Sequence, residues 1–211
     1  MNNTGIKGYD WVMIVAVGLL VVSLGNFIFA LGGLTNLLGF TGYATETGKA
    51  NLTVESEANI AFFVNTTDWG SGKVNSSEGD YAIIDTEGTV TAGNWAPNTQ
   101  PLVLHNIGNT NVILNLSAGK TPEEFINGSA GGGPLYQLKS VENETNACTG
   151  TMTNFDGVYE NLTTSNTEVC SNLQYASGNN SLNFHINLRI PSDSPVGTKE
   201  DIITATATQV A

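Results

Sequence analysis

The sequence predicts a mainly β protein, in which an N-terminal transmembrane helix precedes an antiparallel β-sandwich ectodomain of the Ig-like or jelly-roll-like kind. Three observations predict it. An uncharged apolar segment lies near the N-terminus, short alternating segments separated by turn residues follow, and both cysteines lie in the polar part. We divide the chain into a cytoplasmic N-terminus (1–10), a transmembrane helix or signal segment (11–34), a linker (35–49) and an extracellular domain (50–211).

The apolar segment 11–34 has the length of a membrane span. It carries no charged side chain. As a helix it would extend roughly 36 Å, and a bilayer core of about 30 Å needs about 20 apolar residues. The alternative is a buried core helix, but such helices seldom run so far without a charge. We therefore expect residues 11–34 to contact membrane lipid.

The charges that flank this segment predict its direction. Lys7 precedes it, and Glu46 is the first charged residue after it. Basic residues favour the cytoplasmic side, so the C-terminal part is predicted to lie outside the cell. No second apolar run follows in the sequence, which indicates a single crossing.

Three fates remain open for the segment. An uncleaved anchor ranks first. Lys7-Gly8, directly before Tyr9-Asp10 and the apolar run, resembles the processing site of archaeal type IV pilin-like precursors. A conventional signal peptidase would instead cut after small residues, at 23–25 or 42–44. Cleavage before Tyr9 would point to pilin-like assembly, whereas cleavage at 23–25 or 42–44 would give a secreted protein.

Composition argues against two classes of partner. The formal net charge is −12, and only 12% of residues are charged, against about a quarter in typical domains. Nucleic acids and anionic lipid headgroups are bound through Lys and Arg that neutralise phosphates. We therefore predict no nucleic-acid partner.

The two cysteines, Cys148 and Cys170, are predicted to form a disulfide outside the cell. Free buried thiols are the alternative. A four-ligand zinc site would need His105 and His185, which show no ligand spacing to the cysteines.

The exported part is rich in N-x-S/T triplets, which are acceptors for N-linked sugar. Such sites carry sugar only if the host glycosylates its surface proteins. The eight candidates are Asn51, Asn65, Asn75, Asn115, Asn127, Asn143, Asn161 and Asn179.

Alternating polar and apolar residues predict the strands. Residues 50–63 read as a strand pair or one long bent strand. A closing pair of strands joined by a turn at 191–197 is the clearest. Thr121-Pro-Glu-Glu124 predicts a short helix, with a capping Thr, a first-turn Pro and an acidic first turn. The other predicted strands cover 81–85, 89–92, 101–106, 111–116 and 135–141, and the closing pair covers 182–190 and 201–208.

Two short pieces carry a family resemblance. Asn106-Ile-Gly-Asn-Thr-Asn-Val-Ile-Leu-Asn-Leu116 and Ile190-Pro-Ser-Asp-Ser-Pro-Val-Gly-Thr198 resemble secreted β-sandwich proteins of archaea and, more loosely, TasA/camelysin-like and WxL-type surface domains. The resemblance implies a cell-surface structural or adhesive protein, or a fibre subunit that exchanges an edge strand. It implies a hairpin at the second piece and transfers no catalytic residue. The WxL signature itself is absent.

Catalytic chemistry is not indicated, so neither an enzyme nor a cofactor is predicted. Gly70-Ser-Gly-Lys73 fails as a phosphate loop, because Val74 replaces the magnesium-binding Ser or Thr. His105 and His185 alternate with apolar neighbours on predicted strands, which favours structural roles. Helix-dipole stabilisation explains the adjacent Glu123 and Glu124.

Two kinds of loop residue are weaker candidates for binding. Asp68, Asp80, Asp85 and Asp193 offer carboxylates for calcium, but no EF-hand array exists. Trp69, Trp95 and Tyr175 are candidates for stacking on sugars, with core or loop-plug roles as the alternative.

The sequence thus predicts a cell-surface structural or adhesive protein, anchored by one N-terminal helix and without catalytic activity. The main alternative is a processed subunit of an extracellular filament, either pilin-like or joined by strand exchange. Expected partners are membrane lipid, a second copy of the chain, or a cell-surface glycan.

Overall fold

The computed structural model describes residues 13, 15–21 and 51–210. Residues 13 and 15–21 are helical and exposed. Within the described part of the chain, no helix has both the length and the apolarity needed to cross a membrane. The rest of the 11–34 segment, residues 1–10, the linker 35–49 and all the predicted cleavage sites lie outside the described residues.

From Val54 onwards the described chain forms a compact unit of ten strands, with a short α-helix at Pro122–Phe125 and a 3-10 turn at Ala130–Gly132. All the named strand pairs are antiparallel. The strands are β1 (Ile60–Val64), β2 (Tyr81–Asp85), β3 (Val90–Thr91), β4 (Leu102–Asn106), β5 (Val112–Ala118), β6 (Leu135–Glu142), β7 (Glu160–Asn161), β8 (Thr167–Leu173), β9 (Ser181–Pro191) and β10 (Ile203–Gln209).

Seven strands form the larger sheet around β9, the longest strand. Strand β6 pairs with β9 along one side. On the other side β4 pairs with the first half of β9, and β2 pairs with the second half. Strands β1, β3 and β7 then add to β4, β2 and β6. Among the described residues, β1 pairs with β4 alone and forms an edge of this sheet.

The smaller sheet has three strands in the order β10-β5-β8. In β5, Val112, Leu114 and Leu116 are fully buried, and the residues between them are half-buried. This is the period-2 pattern of a strand with one face on the core. Strand β10 pairs with β5 alone and forms an edge of the sheet.

One hydrophobic cluster contains residues of both sheets. Leu104, Leu138 and Phe184 come from the larger sheet, and Leu114 and Val169 come from the smaller one. Full burial of each such side chain stabilises the fold by about 1.5–3 kcal/mol before entropy is counted. The prediction of a mainly β protein with antiparallel sheets is confirmed.

The predicted pairing of the last two strands is wrong. Strands form close to the predicted positions 182–190 and 201–208, but β9 lies in the larger sheet while β10 pairs with β5 in the smaller one. The turn after Pro191 therefore connects two sheets and does not close a hairpin. Period-2 alternation identifies the buried face of a strand but carries no information on its neighbour.

The predicted strand at 50–63 is largely wrong, since only Ile60–Val64 is a strand. Leu52 and Val54 are 87% and 77% exposed. Before β1, the backbone of residues 57–59 bonds to the turn at 107–109 instead of to a strand.

No strand is predicted from the sequence between 141 and 182, but this region contains β7 and β8. In β8, Val169 and Cys170 are both buried, and the pairing with β5 shifts register twice. These irregularities break the alternation by which a strand is recognised.

The predicted short helix is confirmed. Thr121 is its N-cap, and the Thr121 hydroxyl accepts a hydrogen bond from the Glu124 N–H. The Glu124 carboxylate in turn accepts the Thr121 N–H at 2.9 Å. This reciprocal capping box satisfies two backbone donors that a helix N-terminus otherwise leaves unpaired.

Candidate functional site

Cys148 and Cys170 form a disulfide, with their Cα atoms 5.9 Å apart. Cys170 is fully buried in β8, whereas Cys148 lies half-buried in the preceding loop. The bond therefore fastens the irregular segment that precedes β8 to the core of the smaller sheet.

The predicted sugar acceptors differ in their surroundings. Asn115 lies half-buried on β5 between two neighbouring strands. The amide nitrogens of Asn143 and Asn179 donate hydrogen bonds to the Ser181 hydroxyl and the Thr145 carbonyl. Asn75 is half-buried, and the exposed candidates with no hydrogen bond from the amide nitrogen in the described structure are Asn51, Asn65, Asn127 and Asn161.

The two histidines lie on strands and are half-buried. The His105 ring stacks on Phe63 with ring centroids 4.1 Å apart. His185 Nδ1 lies 3.4 Å from the Thr86 hydroxyl, and burial lowers the pKa of His185. Thr86 is fully buried and its oxygen accepts the Ile186 N–H, so a substrate cannot reach it as a nucleophile.

A polar cluster surrounds His185 on the larger sheet. Lys139 Nζ lies 2.5 Å from Glu87 Oε2, and Tyr159 donates its hydroxyl to the same oxygen at 3.0 Å. The Lys139 hydrogen bond lowers the pKa of Glu87, whereas burial and the Glu87 carboxylate raise the pKa of Tyr159. Each charge in this cluster has a partner, which is the arrangement of a structural ion pair.

The aspartates considered for calcium do not converge. Asp85 Oδ1 accepts the N–H groups of Glu87 and Thr89, and Asp193 accepts those of Ser129 and Ala130. Asp68 lies in a different loop. The backbone carbonyl of Asp80 accepts the Ser192 N–H beside Asp193, so two of the four candidates lie near each other in the fold. Among residues 13, 15–21 and 51–210, no group of three or more His, Cys, Asp or Glu could hold a metal ion.

Trp95 plugs a loop, which is the alternative to sugar stacking predicted for it. A Cβ atom on Gly72 would lie 2.3 Å from the Trp95 ring, and one on Gly93 would lie 2.8 Å from it. The ring is thus clamped between two loops whose close approach requires glycine. Tyr175 is 47% exposed and lines neither of the two hollows described below.

Trp69 borders an open groove of about 780 Å³, which we call the Trp69 groove. The loop after β1 and the loop before β4 form its walls. Trp69 Nε1 donates to the buried Asp85 carbonyl at 3.3 Å, which fixes the indole at the groove. Beside Trp69, the lining comprises Val64, Pro97, Pro101 and Val103 together with Asp68, Gly70, Ala96, Asn98, Thr99 and Gln100.

Hydrogen bonds within and between the two loops fix the shape of the groove. The Asn98 amide donates to the Asp68 carbonyl at 2.7 Å, and the Asn98 carbonyl oxygen accepts the Gln100 N–H. Thr67 donates its hydroxyl to the Gln100 carbonyl. Asp68 Oδ1 accepts the Gly70 N–H and closes the first loop into a tight turn.

A second, smaller hollow lies between the edge strands β1 and β10, and we call it the β1–β10 seam. It measures about 270 Å³. Neither strand has a second named neighbour among the described residues. The lining is mostly apolar and consists of Ile60, Ala61, Phe62, Leu104, Ile203, Thr204 and Ala205.

Comparison with protein-family models, with curated proteins and with solved structures gives no match to this chain. The resemblance to archaeal surface proteins stays a prediction. Among the described residues, the Trp69 groove and the β1–β10 seam are two features open to a ligand or partner.

Sequence reasoning identified Trp69 as a candidate but missed the rest of its groove. Residues 94–98 are predicted as a turn plugged by Trp95, and 101–106 as a strand, but nothing in the sequence links either segment to Asp68. Turn residues around Asp68 and Pro97 are the available indication.

Proposed function

We propose that the protein is a non-catalytic structural or adhesive protein of the cell surface. Segment 11–34 fixes it to the membrane, and its C-terminal part stands outside the cell. The observation that carries the proposal is the combination of this uncharged apolar segment with a disulfide-linked β unit. Disulfides persist in oxidising compartments. Cleavage of the segment would release the same domain as a secreted protein.

We infer that the β unit is an antiparallel sandwich. Support comes from the single cluster that contains the buried faces of β4, β6 and β9 together with those of β5 and β8. Two sheets that share one core in this way leave their outer faces for solvent and partners. A rigid disulfide-fastened sandwich suits a surface protein, because it presents loops without needing a metal or a cofactor.

Localisation tests the proposal. Intact cells expressing the full chain are treated with a membrane-impermeant amine reagent, and membranes and medium are then analysed separately by intact mass. We expect labelling of lysines beyond residue 50, an unprocessed N-terminus and a mass two hydrogens below that of the reduced chain. A protein labelled only after lysis, with both thiols free, would refute an exported location.

The second candidate function is that of a filament subunit joined by strand exchange, and the β1–β10 seam favours it. Two edge strands with unpaired backbone groups flank an apolar hollow, an arrangement that accepts an added strand. The alternating Leu52 and Val54 are exposed and precede β1. In this model, that segment of one copy fills the seam of the next.

Assembly of the purified native protein tests this candidate. We expect SDS-resistant ladders or fibres by electron microscopy, and we expect the double variant Leu52→Asp/Val54→Asp to abolish them. Val196→Asp is the matched control, because Val196 is equally apolar and 101% exposed but lies in the turn after β9. Ladders that persist in the double variant, or a native protein that stays monomeric, would eliminate strand exchange.

A further inference from the structure

We propose that the Trp69 groove binds a neutral oligosaccharide chain. The inference rests on the proposed surface role and deepens its adhesive form, since it names the site and the class of ligand. Four properties of the groove carry it: its open shape, its fixed indole, its unused polar groups and its charge.

The shape of the groove suits an extended ligand. At about 780 Å³ the groove is within the range of ligand sites, which is about 300–1,000 Å³. Loops form it on two sides and leave it open to solvent, so a chain can lie along it with both ends protruding. A surface adhesin requires this, because its glycan ligand is part of a longer polymer.

Trp69 is half-buried and packs against the hydrophobic core. The part of its indole that lines the groove provides the platform for a sugar ring. Its N–H is held by the Asp85 carbonyl, and Asp85 is itself fixed by the N–H groups of Glu87 and Thr89. A ring held in this way loses little conformational freedom when a ligand binds. The electron-rich face of an aromatic ring attracts the C–H face of a pyranose, and Pro97 and Pro101 extend the apolar surface beside it.

Unused polar groups stand next to this platform. Within the described residues, Asp68 Oδ2, the Thr99 hydroxyl and the Gln100 carboxamide make no recorded hydrogen bond, whereas the Asn98 side chain is fully engaged in shaping the loop. Together they supply carboxylate and carbonyl acceptors and hydroxyl and amide donors, the set that sugar hydroxyl groups need.

Charge excludes anionic sugars from the groove. The groove lining contains Asp68 but no Lys, Arg or His, and the whole chain carries a net charge of −12. Anionic sugars, phosphates and nucleic acids would meet repulsion without a compensating cation. A proline-rich peptide could also lie on Trp69, but it would leave the free carboxylate and hydroxyl groups unmatched.

The test uses the full chain in a detergent without a sugar headgroup. Maltohexaose, cellohexaose, mannohexaose and chitohexaose are titrated while tryptophan fluorescence and calorimetric heat are followed. We expect at least one to bind, with affinity reduced about tenfold or more by Trp69→Ala, in line with the weight of buried Trp anchors at binding sites. Gln100→Ala is expected to weaken binding severalfold.

Tyr175→Ala is the matched control, because it removes an exposed aromatic ring outside the groove; it should leave the affinity unchanged. Trp69→Phe and Gln100→Ala guard against misfolding of Trp69→Ala, with circular dichroism as the check on the fold. Absence of binding by all four hexasaccharides, binding insensitive to Trp69 and Gln100, or binding of decaproline alone would each overturn the proposal. None of these outcomes would alter the surface labelling that tests the proposed function.

Discussion

Asn109 holds Glu57 through two hydrogen bonds, although 52 positions separate them in the chain. The Asn109 carboxamide oxygen accepts the Glu57 N–H at 2.6 Å, and the Asn109 N–H donates to the Glu57 carbonyl at 3.0 Å. The Asn109 amide nitrogen also donates to the Glu55 carbonyl. One asparagine thereby acts as a strand partner for the segment that leads into β1.

Residues 55–59 pass so close to Gly108 that a side chain at this position should displace them. A Cβ atom there would lie 2.2 Å from the Glu57 carbonyl oxygen, which is backbone and cannot move aside freely. We expect Gly108→Ala to release residues 55–59 from the turn, seen as faster hydrogen exchange of the Glu57 and Ile107 amides. Gly79→Ala, whose Cβ would meet nothing closer than 3.8 Å, is the control. Unchanged exchange in Gly108→Ala would contradict the close packing.

Asn106 is predicted to be the most costly asparagine to truncate. It is fully buried, donates to the Thr110 and Leu173 carbonyls and accepts the Gly108 N–H. Its removal takes the amide donor from the Thr110 and Leu173 carbonyls and leaves a buried cavity, so Asn106→Ala should lower the free energy of unfolding by roughly 3 kcal/mol. Urea denaturation measures this. Asn65→Ala, at an exposed position, should change the free energy of unfolding by less than about 0.5 kcal/mol. If both variants lose the same free energy, burial is not the reason for the cost.

Removal of the disulfide should destabilise the β unit. The bond closes a loop with a sequence separation of 22, for which chain entropy predicts a contribution of about 3 kcal/mol. We expect Cys148→Ala/Cys170→Ala to lose about that much in urea denaturation. Reduced wild-type protein should behave in the same way. If reduction has no effect while the double variant unfolds, packing at Cys170 and not the cross-link provides the stability.

Asp193 should confer a stability that disappears in acid. The Ala130 N–H, followed by the hydroxyl and N–H of Ser129, holds the pKa of this carboxyl below its ordinary value of 3.8. A lowered folded-state pKa stabilises the fold above the unfolded pKa, and this contribution is lost as the pH falls through the folded pKa. Asp193→Asn should therefore be less stable than wild type at pH 6, with the difference vanishing well below pH 3.8.

Denaturation midpoints recorded from pH 6 to pH 2 provide the measurement. Asp156→Asn is the control, because Asp156 is also exposed but its carboxylate accepts no backbone hydrogen bond in the described structure. The midpoints of Asp156→Asn should follow those of the wild type from pH 6 to pH 2, with no growing or vanishing difference. A constant difference between Asp193→Asn and wild type across this range would rule out the carboxylate as the source.

The last two strands were predicted in the right places but with the wrong neighbours. The segments 182–190 and 201–208 were correctly predicted as strands, because the degree of burial alternates along each: buried with half-buried residues in β9, and half-buried with exposed residues in β10. Their pairing was wrong, because the turn after Pro191 leads from one sheet to the other. A strand buried on one face satisfies its side chains equally well beside any neighbour of suitable register, so alternation alone does not identify the neighbour.

The features that the sequence predicted correctly depend on residues close together in the chain. The capping box at Thr121 is contained in four consecutive residues, and the strands follow from period-2 alternation. The Trp69 groove and the β1–β10 seam were decided by tertiary structure alone. Asp68 and Asn98 are 30 positions apart, and Ile60 and Ile203 line one hollow although they belong to different sheets. Such sites depend on which strands become neighbours, and that choice comes from the packing of the whole core, because no single segment encodes it.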